Sequence, residues 1–205
     1  MAAARETRHA LIAIARRRQR PGSGSSLEFL RRRTAEMQWP DLTPVLQDIL
    51  WAAIGAVATR AYMPERVTRD LDAAIRAEDA PRARERLQQA GWRHVGELSV
   101  GGSRWADPTG QEVDIVELAD GWTEEAIALA QANRDQQGLP ILPLPYLVLT
   151  KLRAGRVQDV ADISRMLGQA TEEQLQAVRD VVATYSPEDL EDVESLAALG
   201  RRELE

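Results

Sequence analysis

The chain has 205 residues, 44% apolar and 28% charged, which is typical of one folded domain or of a core domain with a helical extension. It has no cysteine and two histidines, which excludes disulfides, thiol nucleophiles and the usual zinc clusters and disfavours a histidine-based triad. No run of about 18 apolar residues predicts a membrane span, and the apolar stretch 11–15 is too short for a secretory signal peptide. We therefore expect a cytoplasmic protein.

Charge is distributed unevenly along the chain. Residues 1–36 hold nine arginines and three glutamates, a net of +6, and since the whole chain carries −6, the remainder carries −12. Such a basic arm contacts nucleic acid, folds back on its own protein or is a disordered tail. Its residues 21–26 are a Pro/Gly/Ser linker, flexible by composition. We expect Met37 to mark the start of the folded domain and an alternative start of translation.

Helix and strand signals alternate after residue 40. An N-cap at Asp41 or Thr43, followed by Pro44, predicts a helix that runs to Leu50. A short apolar run then ends at a glycine, an alanine-rich stretch suits a helix, and a second apolar run follows. The segments are the strand Trp51–Ile54, the turn at Gly55, the helix Ala56–Tyr62 stopped by Pro64, and a strand opened by Asp70-Leu71-Asp72.

The strand and glycine around residue 55 predict a site for phosphate chemistry. Asp70 and Asp72 are two residues apart, so on a strand they share one face, and two anions this close repel each other unless a cation lies between them. Gly55 lets the backbone approach a ligand closely, and the following helix start offers N–H groups to a phosphate. This combination is typical of phosphoryl transfer, in which metal ions and positioning do most of the work.

The rest of the chain predicts a sheet region that passes into helices. Proline and glycine positions set most of the boundaries. The predicted elements are the helix Pro81–Ala90, the strand Trp92–Leu98, a hairpin of Ser103–Ala106 with Gln111–Leu118, the helix Gly121–Gln137, an extended connector Gly138–Pro145, a helix carrying Lys151, and helices Thr171–Thr184 and Ser186–Gly200.

The predicted hairpin contains a third acidic candidate. Apolar and acidic residues alternate through Asp114, which places it on the same strand face as Glu112 and on the face opposite to Glu117. Solvated outer-face carboxylates are the usual explanation of such a pattern, and a metal ligand is the alternative. The pattern alone leaves both open.

Two stretches resemble a known family. Gly55 followed by Arg66-Val67-Thr68-Arg69-Asp70-Leu71-Asp72 resembles the first motif of the DNA polymerase β-like nucleotidyltransferase superfamily, most closely its AbiEii-type toxin branch. Pro145–Leu167 is similar to that family's helix with a lysine, a small-residue turn, and Arg and Asp before a second helix. Ala56 departs from the family, which usually has Gly or Ser there, so one phosphate contact falls to the backbone alone.

The resemblance implies an α+β fold: a small mixed nucleotidyltransferase sheet flanked by helices in 37–140, then a helical region, 141–205, that completes the active site. It implies one or two Mg²⁺ ions and an NTP substrate. The implied metal ligands are Asp70, Asp72 and Asp114; Lys151 and Asp159 join them as catalytic residues. The implied nucleotide-binding residues are Gly55, Ala56, Arg66, Thr68, Lys151 and Arg156.

The implied activity is transfer of a nucleoside monophosphate from an NTP to an acceptor hydroxyl. In the toxin branch the acceptor is the 3′ end of tRNA, and a cognate antitoxin protein is then an expected partner. An RNA acceptor requires a basic groove, for which the candidates are Arg60, Arg66, Arg69, Arg76 and the amino-terminal arm. The alternatives are transfer to a small antibiotic-type molecule, which suits the acidic body of the chain, and a non-catalytic nucleotide-binding module.

Overall fold

The computed structural model describes residues 2–22, 38–63, 68 and 70–204. The predicted linker positions 23–26, the second basic stretch 27–36 and Met37 lie outside the described residues, as do Arg66 and Arg69 of the first motif. The chain divides into two compact units. We call residues 34–61 and 66–143 the sheet unit, and residues 1–33, 62–65 and 144–205 the helical unit, and describe each by itself.

A five-stranded mixed sheet forms the centre of the sheet unit. The strand order is β1-β2-β5-β4-β3, and all neighbours are antiparallel except β2 and β5, which are parallel. The strands are β1 (Ala52–Ile54), β2 (Leu71–Arg76), β3 (Arg93–Glu97), β4 (Gly102–Ala106) and β5 (Glu112–Leu118). With the helices described below, this arrangement confirms the predicted α+β class.

One face of the sheet is apolar because alternate residues of the two central strands are buried. Leu71, Ala73 and Ile75 of β2, with Val113 and Ile115 of β5, are at most 2% exposed and share that face. Burial of this area from water provides the main stabilisation of the unit. The residues between them in the sequence, which include Asp72 and Asp114, therefore point to the opposite face.

The helices of the sheet unit are short. Numbered in chain order after α1 (Ala2–Arg18), which belongs to the helical unit, they are α2 (Thr43–Leu46), α3 (Gly55–Tyr62), α4 (Ala80–Gln89) and α5 (Thr123–Ala130). Two predicted helices were too long. The first ends at Leu46 because Gln47 has φ +57°; the second ends at Ala130, since Asn133 and Asp135 bond to the returning segment at Ile141 and Leu139.

The helical unit consists of α1 and four later helices. These are α6 (Leu144–Ala154), α7 (Val157–Gln169), α8 (Glu172–Tyr185) and α9 (Leu190–Leu204). The predicted connector Gly138–Pro145 was wrong at its end, because Pro145 lies in the first turn of α6, where proline is tolerated. No helix in the described part of the chain is long and apolar enough to cross a membrane.

Two glycines let α7 and α9 pack closely. A Cβ added to Gly200 would overlap the backbone oxygen of Ser164, and one added to Gly168 would overlap the backbone of Gly200. Ser164 also donates a hydrogen bond from its hydroxyl to the Leu196 carbonyl oxygen, at 3.1 Å. The close approach of these two backbones fixes the pairing of the helices.

Helix α1 folds back on the acidic carboxyl-terminal helices through a buried arginine. The Arg8 side chain is 2% exposed. Its guanidinium donates to Asp192 at 2.6 Å, to the Leu152 carbonyl at 2.7 Å, and to Asp189. Arg5 donates to the Glu188 carbonyl oxygen at 2.6 Å from a partly exposed position. Because a buried guanidinium is costly without partners, these contacts make α1 part of the folded helical unit.

Replacement of Arg8 by methionine should destabilise the protein strongly. The variant Arg8→Met would leave Asp189 and Asp192 without their main counter-ion, and removal of one partner of a buried ion pair costs about 3–5 kcal/mol. Urea unfolding followed by circular dichroism measures this loss. The matched control is Arg5→Met, whose side chain is 43% exposed; its cost should stay below about 1 kcal/mol. Equal losses in both variants would contradict this role of Arg8.

Candidate functional site

Asp72 and Asp114 lie side by side on neighbouring strands of the sheet unit. In the parallel register of β2 and β5, Asp72 is directly opposite Asp114. Their side chains therefore project from the same face of the sheet, opposite to its apolar face. Asp72 is partly buried, and the Asp114 side chain is 16% exposed. These two residues, the carboxylate pair, combine two anions that favour a cation between or beside them.

Gly55 lies against the first member of the carboxylate pair. Ile54, the residue before it, is opposite Asp72 in the antiparallel register of β1 and β2. Gly55 has φ +58°, and a Cβ added to it would overlap Oδ2 of Asp72. The position therefore requires glycine twice, for its backbone conformation and for the space that the carboxylate occupies. Ala56 follows in the first turn of α3, where backbone N–H groups have no partner within the helix.

Arg104 completes the row of charges on this face. It lies opposite Asp114 in the antiparallel register of β4 and β5. Its guanidinium donates from Nε to Oδ1 of Asp114 at 2.6 Å and from Nη2 to Oδ2 at 2.8 Å. These hydrogen bonds and the Asp114 charge raise the pKa of Arg104 well above its usual range, with smaller contributions from the charges of Glu112 and Asp70. Both oxygens of Asp114 thus have a cationic partner.

Asp70 and Thr68 lie just before β2. The strand begins at Leu71, so Asp70 is outside it and exposed, whereas the sequence predicted that Asp70 and Asp72 share one strand. The Thr68 hydroxyl donates to the Asp70 carbonyl oxygen at 3.3 Å. The Asp70 charge nevertheless acts on Arg104, which places it in electrostatic range of the same face.

The carboxylate pair fits a hard divalent cation in its donor chemistry. Carboxylate oxygens are the ligands that Mg²⁺ prefers, and the register already holds two of them together. Within the described ranges, no three His, Cys, Asp or Glu side chains are grouped closely enough to hold a metal ion. The structure therefore places Asp72 and Asp114 of the predicted ligand set opposite each other, and Asp70, which precedes β2, does not form a three-residue metal-binding group with them.

Lys151, the only lysine of the chain, is buried in the helical unit. Its side chain is 6% exposed, and its ammonium donates to Oδ2 of Asp162 at 2.7 Å and to Oδ1 of Asp159 at 3.3 Å. Both aspartates are buried. Lys151 forms an ion pair with each aspartate, and these pairs offset the cost of burial, because a buried charge without a partner would be far more unfavourable.

Asp159 also lies in the first turn of helix α7. Its Oδ2 accepts hydrogen bonds from the backbone N–H of Arg156 at 3.3 Å and from Arg156 Nε at 2.8 Å. An aspartate in the first turn of a helix satisfies N–H groups and interacts favourably with the helix dipole. Asp159 therefore links the exposed Arg156 to the buried Lys151. The nucleotide-binding roles of Lys151 and Arg156 stay predictions.

The sequence interpretation missed Arg104. The observed hairpin pairs Ala106 with Glu112 and therefore Arg104 with Asp114, whereas the predicted hairpin, with its turn at residues 107–110, specified no register. Asp162 was not among the predicted site residues, and its contact with Lys151 is shorter than that of Asp159.

Comparison with known proteins gives distant similarity only. No protein-family model matches the chain, and no curated protein is similar to it. One solved structure similar to it is the solution structure of the antibiotic-resistance factor ANT(2'')-Ia, with 17% identity, 85% of this chain and 89% of that chain covered, and a TM-score of 0.41. Another is the crystal structure of ANT(2'')-Ia in complex with adenylyl-2''-tobramycin. It has 16% identity and a TM-score of 0.39, and the match covers 76% of this chain and 90% of that chain.

Substitution of Gly55 by alanine should disturb both the backbone and the carboxylate pair. The new Cβ would overlap Asp72, and the positive φ would strain the alanine, so we expect Gly55→Ala to lower the free energy of unfolding by more than about 2 kcal/mol. Urea unfolding measures this change. The matched control is Gly96→Ala on β3, where a Cβ meets nothing within 4 Å. Its stability should be unchanged or raised by up to about 1 kcal/mol; a similar loss in both would show that Asp72 is not the cause.

Proposed function

We propose that the chain is a nucleotidyltransferase that moves a nucleoside monophosphate from an NTP to a hydroxyl group of a polar acceptor. The observation that carries the proposal is the carboxylate pair, in register on parallel neighbouring strands, with the Gly55 backbone against Asp72. The resemblance of the first motif to DNA polymerase β-like nucleotidyltransferases supports the same activity from the sequence.

The carboxylate pair would hold the divalent cation of this reaction, with Asp70 as the further ligand that the resemblance implies. Bound Mg²⁺ would neutralise charge on the triphosphate and orient it for attack. Gly55 leaves space for the carboxylate and begins a helix whose first N–H groups suit a phosphate oxygen. The implied nucleotide contacts of Ala56, Arg66, Thr68, Lys151 and Arg156, and the implied role of Asp159, stay part of the proposal.

The reaction makes one bond and breaks one bond at phosphorus. The acceptor oxygen forms a bond to the α-phosphorus of the NTP, the bond from that phosphorus to the bridging oxygen breaks, and pyrophosphate leaves. The proton of the acceptor hydroxyl must be removed in the process. We assign its removal to Asp114, a carboxylate that Arg104 keeps oriented.

In the described part of the chain, which does not include Arg66 and Arg69, the charges around the site favour a small cationic acceptor over RNA. Of the arginines considered for an RNA groove, Arg76 is paired with Asp79 and Glu78, and Arg60 lies over the Trp39 ring. The amino-terminal arm uses arginines in contacts with its own helical unit, namely Arg5, Arg8 and Arg16. A positively charged amino sugar suits the acidic face around Asp114. The toxin role, a tRNA 3′ end as acceptor and a cognate antitoxin are the finer hypothesis that the family resemblance supports.

Incubation with Mg²⁺ and each α-labelled NTP tests the activity and separates the two acceptors. We expect label on a polyhydroxylated amine such as an aminoglycoside and none on total tRNA; label on tRNA would instead support the toxin hypothesis. Asp72→Asn should reduce transfer at least about 100-fold, because the removed charge would hold the cation that neutralises the transferring phosphate. Absence of both transfer and Mg²⁺-dependent nucleotide binding would contradict the proposal. Nucleotide binding without transfer to either acceptor would favour the non-catalytic module.

The matched control for Asp72→Asn is Glu117→Gln. Glu117 lies on β5 beside the pair but projects from the opposite face, where it accepts a hydrogen bond from Arg84 at 3.0 Å. Its replacement removes the same charge from the same sheet. Transfer by Glu117→Gln should stay within about threefold of the unchanged protein, because the partly exposed Arg84–Glu117 ion pair lies on the face away from the site. Equal loss in both variants would indicate a general charge or folding effect.

A further inference from the structure

The residue that distinguishes this site is Arg104, for which the sequence interpretation gave no role. Across the sheet face, the order of opposed residues is Arg104 on β4, Asp114 on β5, Asp72 on β2, and then the strand end that leads to Gly55. A guanidinium thus lies at one end of a row of two carboxylates. Its planar fork matches the two oxygens of Asp114 in a bidentate contact, which is a strong form of charged hydrogen bond.

Arg104 also lies among several carboxylates. Besides Asp114, its Nη1 is 3.6 Å from Glu112 Oε2, and the charge of Asp70 acts on it as well. Asp72 is the next member of the row. One arginine therefore balances part of an excess of negative charge on this face. This is the electrostatic task that a divalent cation would otherwise perform.

We propose that Arg104 is the resident counter-ion of the carboxylate pair, and that it competes with the divalent cation for the oxygens of Asp114. The inference rests on the proposed function for the identity of the cation site. Arg104 holds Asp114 in place before the cation binds, and the cation then takes over at least one of its oxygens. Binding of the cation alone is weakened by this competition.

The Arg104 guanidinium can leave Asp114 when a cation binds. The Arg104 side chain is 44% exposed, so it can turn toward solvent without the cost of moving a buried charge. A nucleotide offers it a new anionic partner, because guanidinium groups bind phosphate oxygens as well as carboxylates. The cation and the nucleotide would therefore help each other to bind: the cation takes Asp114, and a phosphate takes Arg104.

Titration of the full chain with Mn²⁺ in the absence of nucleotide tests the competition, with free Mn²⁺ followed by electron paramagnetic resonance. Arg104→Gln should bind Mn²⁺ about tenfold more tightly than the unchanged protein, because a competing positive charge in hydrogen-bond contact with a ligand oxygen is removed. Unchanged or weaker affinity would overturn the proposal.

The matched control is Arg84→Gln. Arg84 donates to Glu117 of β5 and to Glu97, each at 3.0 Å, and Glu117 projects from the face opposite to Asp114. The charge change is the same and another β5 carboxylate loses its partner. Mn²⁺ affinity should stay within about twofold of the unchanged protein, because the site is on the other face. An equal gain in both variants would overturn the proposal in favour of a general effect of net charge.

Two further variants protect the test against a folding defect in Arg104→Gln. Arg104→Lys keeps the charge but loses the bidentate fork, so its gain in affinity should be smaller than that of Arg104→Gln. The double variant Arg104→Gln with Asp114→Asn should lose the gain, because the contested oxygens are no longer charged. Persistence of the full gain without the Asp114 charge would overturn the proposal.

A second readout concerns the nucleotide. In the unchanged protein a non-hydrolysable NTP analogue should tighten Mn²⁺ binding, and Arg104→Gln should reduce that coupling by about tenfold. The failure of this inference is distinguishable from failure of the proposed function. Transfer activity in the unchanged protein, together with unchanged Mn²⁺ affinity in Arg104→Gln, would overturn the inference alone. A gain in Mn²⁺ affinity in Arg104→Gln, without transfer by the unchanged protein to any acceptor, would overturn the proposed function alone.

Discussion

The parallel register of β2 and β5 determines which charged residues meet at the candidate site. It sets Asp72 opposite Asp114, so two carboxylates share the face of the sheet that its apolar residues do not use. The two carboxylates repel each other, and the neighbouring residues accommodate or offset their charges. Gly55 gives up its side chain to make space for Asp72, and Arg104 supplies a positive charge to Asp114. Without this register, neither the absence of a side chain at residue 55 nor the positive charge at residue 104 would be required.

The helical unit also contains aspartates close to one another, and there the compensating cations are buried. Arg8 and Lys151 are its buried cations in the described part of the chain, and each contacts two buried aspartates. Arg8 also binds the carbonyl of Leu152, the residue after Lys151, so the amino-terminal helix is tied to the helix that carries the lysine. Such pairs hold helices in one arrangement, since either charge alone would be strongly unfavourable.

Local patterns in the sequence predicted much of the fold and part of the site. The strands of the hairpin, the helix with Lys151 and the strand with Asp72 follow from periodicity, glycines and prolines, which act over a few residues. The apolar run 147–149 before Lys151 is a local signal of its burial. The partners of Arg8 could not be predicted, because Asp192 is 184 residues away. The end of the helix at Leu46 depends on one residue with positive φ, Gln47, which no pattern indicates.

We propose that Asp72 and Asp114 together bind the divalent cation of a nucleotidyl-transfer site. Anomalous diffraction from crystals grown with Mn²⁺ and a non-hydrolysable NTP analogue tests it most directly, because the anomalous peak locates the metal independently of activity. We expect a peak within about 2.5 Å of carboxylate oxygens of both residues, adjacent to the phosphates. A peak at another place, or nucleotide bound away from this face with no metal at the carboxylate pair, would contradict it.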